Sequence, residues 1–241
     1  MTVIEHCIEF WTSFVPDFAE QTRGAAPAQI AGLERRRNRP LNALYREFLE
    51  RMGEDTGPLD LGFYSTSPHY VMEQRPRVES LPENTELLAV PTGDNEEDIF
   101  LLFGDGPEPV VVRHPNLAYS RERVLDPAKT EAVAGSLSEL LCLPAVSRYL
   151  ALPQPFQVTY ADKELRAGTL DRCRRLAAFL GFEPYWFSSA QTLAARRGSG
   201  VIVAKQAPGF VFSIGIAGGD EFEFGVASRA FFRELDLEHY R

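Results

Sequence analysis

Apolar residues recur at helical spacing as far as Met52, and beyond about residue 55 that period gives way to short apolar runs set between turn residues. This change of period constrains the fold more than any other feature. A helical stripe and a strand cannot bury themselves alone, so a chain that passes from one to the other must pack helices on a sheet. Ile4, Cys7, Ile8, Trp11, Phe14, Val15 and Phe18 form one stripe of an amphipathic helix. Thr2 and Glu5 ahead of it have capping-box spacing, and Gly24 to Pro27 breaks the helix. A second helix is expected over about 28–37, burying Ile30 and Leu33 and exposing Arg35, Arg36 and Arg37. A third follows Pro40, with Leu41, Leu44, Tyr45, Phe48, Leu49 and Met52 on one side and Gly53 placed to end it in a left-handed conformation.

Leu87–Val90, Ile99–Phe103 and Val110–Val112 read as strands joined by tight loops, and the stretch from Pro127 through Leu141 reads as helix, ended or kinked by Pro144. Pro153 and Pro155 mark a boundary. After them come a strand at Phe156–Tyr160, a helix from Thr169 to Leu180 stopped by Gly181, a strand at Pro184–Phe187 and a short helix near 190–196. Val201–Lys205 and Phe210–Ile216 pair as a hairpin around Pro208-Gly209, and Gly218-Gly219 turns the chain into Glu221–Val226. The expected class is α+β: N-terminal helices on a mostly antiparallel, bent sheet over residues 1–152, then a smaller α+β module over 153–241.

With 44% hydrophobic and 24% charged residues the chain is globular in composition, and a net charge of -9 disfavours a primary role on DNA, RNA or an anionic membrane. It suits a basic partner, and equally suits simple solubility. Cys7, Cys142 and Cys173 are odd in number and in no paired spacing, which points to a reducing compartment. The N-terminus has no positive region ahead of an apolar core, so no signal peptide is expected, and no apolar run approaches the roughly 18 residues of a membrane span. The expected location is the cytoplasm. Lysine occurs only at Lys129, Lys163 and Lys205, a bias that hints at a GC-rich bacterial coding sequence.

The familiar local signatures of catalysis are missing. His6, His69, His114 and His239 are scattered, with no H-E-x-x-H pattern for zinc. Gly198-Ser199-Gly200 precedes a strand rather than forming a strand-to-helix elbow. Gly104-Asp105-Gly106-Pro107 lacks the third glycine and the helix of a phosphate loop. Asp94-Asn95-Glu96-Glu97-Asp98 has Ile99 where a calcium loop needs glycine, so it reads as a solvated loop or as an acidic prong for a basic partner. No metal and no cofactor are expected.

Two segments carry more. Ile30-Ala-Gly-Leu33-Glu34, followed by Leu41-Asn-Ala-Leu-Tyr45-Arg-Glu-Phe48-Leu49-Glu-Arg-Met-Gly53, is an amphipathic helix pair. After the strands, Ser136 in Ala134-Gly-Ser136-Leu137-Ser-Glu139-Leu-Leu141 is placed to cap a helix with Glu139 as its box partner. This order, over about 28–141, resembles the SUKH superfamily of bacterial toxin-immunity proteins and fungal regulators of cell-wall synthesis. Asn42 stands where that family usually has proline, Leu137 replaces the usual Phe, and the strand region lacks a tryptophan.

The resemblance implies an immunity protein of a polymorphic toxin system, binding and neutralising a cognate toxin domain that is basic and acts on nucleic acid. Opposite potentials would steer that encounter. Candidate contacts are Asp94, Glu96, Glu97 and Asp98 in the acidic run, Glu54, Asp55 and Asp60 after the third helix, and Tyr64 and Tyr70 in a Ser/Pro-rich stretch expected to be exposed. Two other readings stay open at this point. One is an intracellular scaffold or regulator of the same fold, with the C-terminal module carrying the activity. The other is an enzyme with an unfamiliar site in the C-terminal half.

Overall fold

The computed structural model describes residues 1–59, 61–62, 64–74, 81–92, 97–115, 129–161, 168–206 and 212–239, with only the backbone at Glu238 and His239. They form an α+β protein with two antiparallel sheets. The chain divides into two compact units, Met1–Leu141 and Cys142–Arg241, so the division falls inside a helix and ahead of Pro153. Pro153 and Pro155 instead mark the entry to the next strand, because neither supplies a backbone N–H to prolong a helix.

In unit 1, helix α1 (Val3–Thr12) starts at the expected capping box. The Glu5 N–H donates to Thr2 Oγ1 at 3.2 Å, and the Thr2 N–H donates to Glu5 Oε2 at 2.9 Å. Its stripe buries Ile4, Cys7 and Trp11 but does not run on to Phe18 as one helix. Pro16 interrupts it, and Phe18 opens the short α2 (Phe18–Gln21), where its ring stacks on Trp11 at 5.0 Å. Trp11 Nε1 donates to the Leu141 carbonyl at 2.7 Å, tying the first helix to the end of the unit.

The helix pair is α3 (Pro27–Arg37) and α4 (Ala43–Met52). Asn42 caps α4, its side chain accepting from the Leu44 N–H at 2.9 Å, which gives a local reason for asparagine there. Gly53 is not left-handed. Its φ is -70°, and a Cβ would sit 2.6 Å from Leu49 Cα, so close approach to the preceding turn is what requires glycine.

The first sheet has strand order β1–β2–β3–β4–β5: β1 (Tyr64–Ser65), β2 (Thr85–Pro91), β3 (Glu97–Leu102), β4 (Val110–Pro115) and β5 (Glu131–Ala134). Helix α5 (Pro68–Gln74) lies between β1 and β2 in sequence. Every residue of β2 is buried, and a register shift between Leu87 and Ala89 marks a bulge against β3. Residues 131–134, expected to be helical, instead pair with β4, and Gly135 and Ser136 separate that strand from helix α6 (Leu137–Ala145). Four residues are too few for periodicity to separate strand from helix. The Ser136 cap is formed: its Oγ accepts from the Glu139 N–H at 3.0 Å, while Glu139 Oε2 reaches back to the Gly135 N–H at 2.9 Å.

A buried charge cluster joins α3 to the sheet. The Arg37 guanidinium donates to the carbonyls of Leu81, Pro82 and Thr85 at 3.0, 3.0 and 2.9 Å, and its Nε lies 3.5 Å from Glu86 Oε2. Arg39 Nη2 contacts Glu86 Oε1 at 2.7 Å. The side chains of Arg37 and Glu86 are 1% and 2% exposed. Burial pushes the Glu86 carboxyl above the usual range and the Arg37 guanidinium below its own, each opposed by the other's charge. Tyr45 Oη donates to the Leu87 carbonyl at 2.6 Å beside them.

In unit 2, Pro144 lies inside α6, which passes into a π-helix at Val146–Ala151. A second sheet follows, with order β11–β6–β10–β9–β8–β7: β6 (Phe156–Ala161), β7 (Glu183–Pro184), β8 (Thr192–Arg197), β9 (Gly200–Lys205), β10 (Ser213–Gly218) and β11 (Glu238–His239). Residues 192–196, which fall in the short helix expected near 190–196, instead belong to β8. Its Ala-rich run pairs along its whole length with β9, and that pairing outweighs alanine's helix preference. The hairpin β9–β10 forms in the register Lys205↔Ser213, and Pro208-Gly209 lies outside the described residues. Helices α7 (Thr169–Phe179) and α8 (Glu221–Leu235) share a core with the sheet through Leu170, Cys173, Ile202, Ile214, Ile216 and Phe231. Gly181, at φ 80°, follows α7 as expected. Cys7, Cys142 and Cys173 are all buried and none is in a disulfide, and burial pushes the Cys173 thiol up to about 12. Among the described residues no helix is long and apolar enough to cross a membrane.

Candidate functional site

The structure redistributes the nine residues read as partner contacts. Asp60, Asp94 and Glu96 lie outside the described residues. Glu97 and Asp98 belong to β3 rather than to a loop. Asp98 is 1% exposed and faces His114 in the β3–β4 register, so it is no part of an acidic prong. Glu97 is half-buried, 3.5 Å from Arg113 Nη1, and Arg113 also binds Glu131 of β5. A carboxylate at a strand end with a cross-strand arginine serves the sheet first.

Glu54 is half-buried too. Its Oε2 accepts from Ser67 Oγ at 2.9 Å and from Gln29 Nε2 at 3.4 Å, holding the segment after α4 to α3 and to residue 67. Tyr64 and Tyr70, expected to be exposed, are half-buried, because their stretch forms β1 and α5 rather than a loop. Asp55 alone among the described members of the set is exposed. Its Oδ1 accepts from the Gly57 N–H at 2.9 Å, and its backbone bridges to Arg23.

A different acidic surface is better formed. Helices α1 and α4 pack together and present Glu5, Glu9, Glu47 and Glu50, with Arg46 and Arg51 among them. Glu47 accepts from the Thr2 hydroxyl, and Arg51 reaches Glu5 at 3.4 Å. The Thr2 amide, more than Arg51, holds Glu5 below the usual carboxylate range. Arg46 is committed to Glu34 and Glu50 at 2.6 and 3.0 Å, and these bonds raise its own pKa. Glu9 and Glu50 remain exposed.

The larger electrostatic fact follows from the division of the chain. Unit 1 contains 24 acidic and 13 basic residues, a net of -11; unit 2 contains 10 and 12, a net of +2; together these make the -9 of the whole. The acidity therefore belongs to the unit that holds the helix pair and the first sheet. The same asymmetry holds at the boundary expected from the sequence, where only Arg148 changes sides and the halves 1–152 and 153–241 carry -10 and +1.

Unit 2 contributes an apolar groove of about 180 Å³ between the end of α7, the start of α8 and the sheet, lined by Leu180, Phe182, Ile216, Phe224 and Val226. Phe222 stands at its lip. Arg197 and the first turn of α8, with Asp220 and Glu223, form the polar rim. Asp220 caps the helix, its Oδ1 accepting from the Glu223 N–H at 2.8 Å. Among the described residues no group of three or more His, Cys, Asp and Glu is placed to hold a metal ion. A scan against protein-family models, a search of curated proteins and a search of solved structures each return no match.

Proposed function

We propose that this chain is an immunity-type protein of the bacterial cytoplasm, binding a cognate toxin domain stoichiometrically and blocking its access to nucleic acid. The observation that carries the reading is the net charge of -11 on unit 1, which contains the whole SUKH-like stretch. A basic nucleic-acid-binding cleft and a surface of this sign attract over about a Debye length, roughly 8 Å at physiological ionic strength. The helix-pair residues Ile30, Leu33, Tyr45, Phe48 and Leu49 are buried, consistent with a scaffolding role for the motif and with partner contacts on exposed positions such as Glu9, Glu50 and Asp55.

The test is capture of the partner from the native host, followed by expression of that partner with and without this chain. Rescue of growth supports the reading; a captured partner that is harmless alone removes it. With the partner in hand, the triple substitution Glu9→Lys, Glu50→Lys, Asp55→Lys is expected to slow association about ten-fold or more at low salt and to flatten its salt dependence. Stopped-flow association rates at two ionic strengths measure this. Unchanged rates would move the interface off this surface.

A further inference from the structure

The α7–α8 groove of unit 2 has the form of a receptor for one or two apolar side chains. Six of the eight large apolar side chains left exposed among the described residues are in unit 2, although it is the smaller unit. Two of the six, Phe222 at 76% and Val226 at 40% exposure, are one turn apart on α8 and line the groove. A third, Phe179 at 85%, immediately precedes the lining residue Leu180. Nothing about folding requires a phenylalanine at position 222, one residue past the start of a helix whose core face is set by Ala227, Phe231 and Leu235.

Size narrows the occupant. The groove holds about 180 Å³, well below the roughly 300–1,000 Å³ of pockets that enclose cofactors or drug-sized ligands. That space suits side chains of a docked polypeptide. Charge narrows it further. The groove lining carries Asp220 and Glu223, both exposed, against Arg197. Glu221 is exposed on the same first turn of α8, and the Arg229 guanidinium reaches back to Gly225, making three carboxylates against two cations. Arg197 is partly committed: Nη1 donates to the Leu180 carbonyl at 2.7 Å, and Nη2 lies 3.9 Å from Glu223. The rim is therefore net acidic around an apolar floor, within a unit that is otherwise slightly basic.

We propose that this groove docks a segment of another protein that presents leucine or phenylalanine anchors flanked by arginine or lysine. The anchors enter beside Phe222 and Val226, and the flanking cations meet Glu221 and Glu223. The site consists only of residues of unit 2, so it stands or falls separately from the toxin reading.

The test uses the full chain and a fluorescein-labelled peptide, Gly-Ser-Arg-Leu-Phe-Arg-Lys-Leu-Phe-Arg-Gly-Ser, in fluorescence anisotropy. Versions with every basic residue replaced by Glu, and with every Leu and Phe replaced by Ser, are the controls. Saturable binding is expected for the first peptide, weakened about ten-fold or more in both controls and in Phe222→Ser. Glu221→Lys with Glu223→Lys should weaken the basic peptide and strengthen the acidic one. Val226→Trp, which narrows the mouth from an already exposed position, should also weaken binding, and circular dichroism checks that each variant is folded. Equal binding of basic and acidic peptides, or no binding by any of them, overturns the proposal. So does concentration-dependent self-association of the chain that Phe222→Ser abolishes, since the occupant would then be a second copy.

Discussion

Glu86→Ala is expected to cost unit 1 about 3–5 kcal/mol, the range for removing one partner of a buried ion pair. Glu86 has no route to water, its side chain being 2% exposed, and it faces Arg37 and Arg39 together. Truncation leaves the Arg37 guanidinium, 1% exposed, with its carbonyl acceptors but without the Glu86 counter-charge. The double substitution Arg37→Met, Glu86→Leu should recover much of the loss, because two apolar side chains remove the unpaired charge as well as the pair. Trp186→Phe leaves Trp11 as the single tryptophan, so fluorescence then reports unit 1 alone. In that background the urea midpoint should fall by about 1–3 M for Glu86→Ala. A shift below about 0.5 M would mean that the cluster is hydrated or rearranges at little cost.

Gly24→Ala is the second large effect, and it depends on space rather than on charge. A Cβ at position 24 would fall 1.9 Å from the Glu50 carbonyl oxygen and 2.7 Å from its carbon. Both atoms belong to the backbone of α4, so no side-chain rotation relieves the overlap. The adjacent Ala25 N–H donates to the Leu49 carbonyl at 2.8 Å, and Arg23 exchanges backbone hydrogen bonds with Glu54 and Asp55. The segment is thus pinned on both sides of the glycine. Either these bonds break or α4 shifts, at a cost of about 3 kcal/mol or more. The same fluorescence-detected unfolding measures it, and a loss under about 1 kcal/mol would show that the segment moves freely away from α4.

Much of the scaffold was legible because its signals are local. The Thr2–Glu5 box, the Ser136 cap, the stop after α7 and the β9–β10 hairpin all depend on residues within a few positions of one another. Misreadings fell where tertiary pairing decides: β5 and β8 are short, and β4 and β9 hold them extended. Pro16 was in plain view, yet the stripe through Phe18 outweighed it. The candidate contacts fared worse for a physical reason. A charged side chain reads as solvated unless its partner is known, and the partners of Glu54, Glu97 and Asp98 come from other segments. The groove of unit 2 had one sequence trace, the Glu-Phe-Glu-Phe run at 221–224, which places Phe222 on the side of α8 away from its core residues.

The three buried cysteines give the molecule a built-in clock. Cys7 belongs to unit 1, Cys142 opens unit 2 within α6, and Cys173 sits in the α7–α8 core. None is held in a disulfide, so a thiol reagent modifies each only as fast as its own surroundings open. Peptide-resolved alkylation of the unmodified sequence thus dates the opening of the acidic unit, the shared helix and the grooved unit separately, and places the effect of any bound partner on the region it protects.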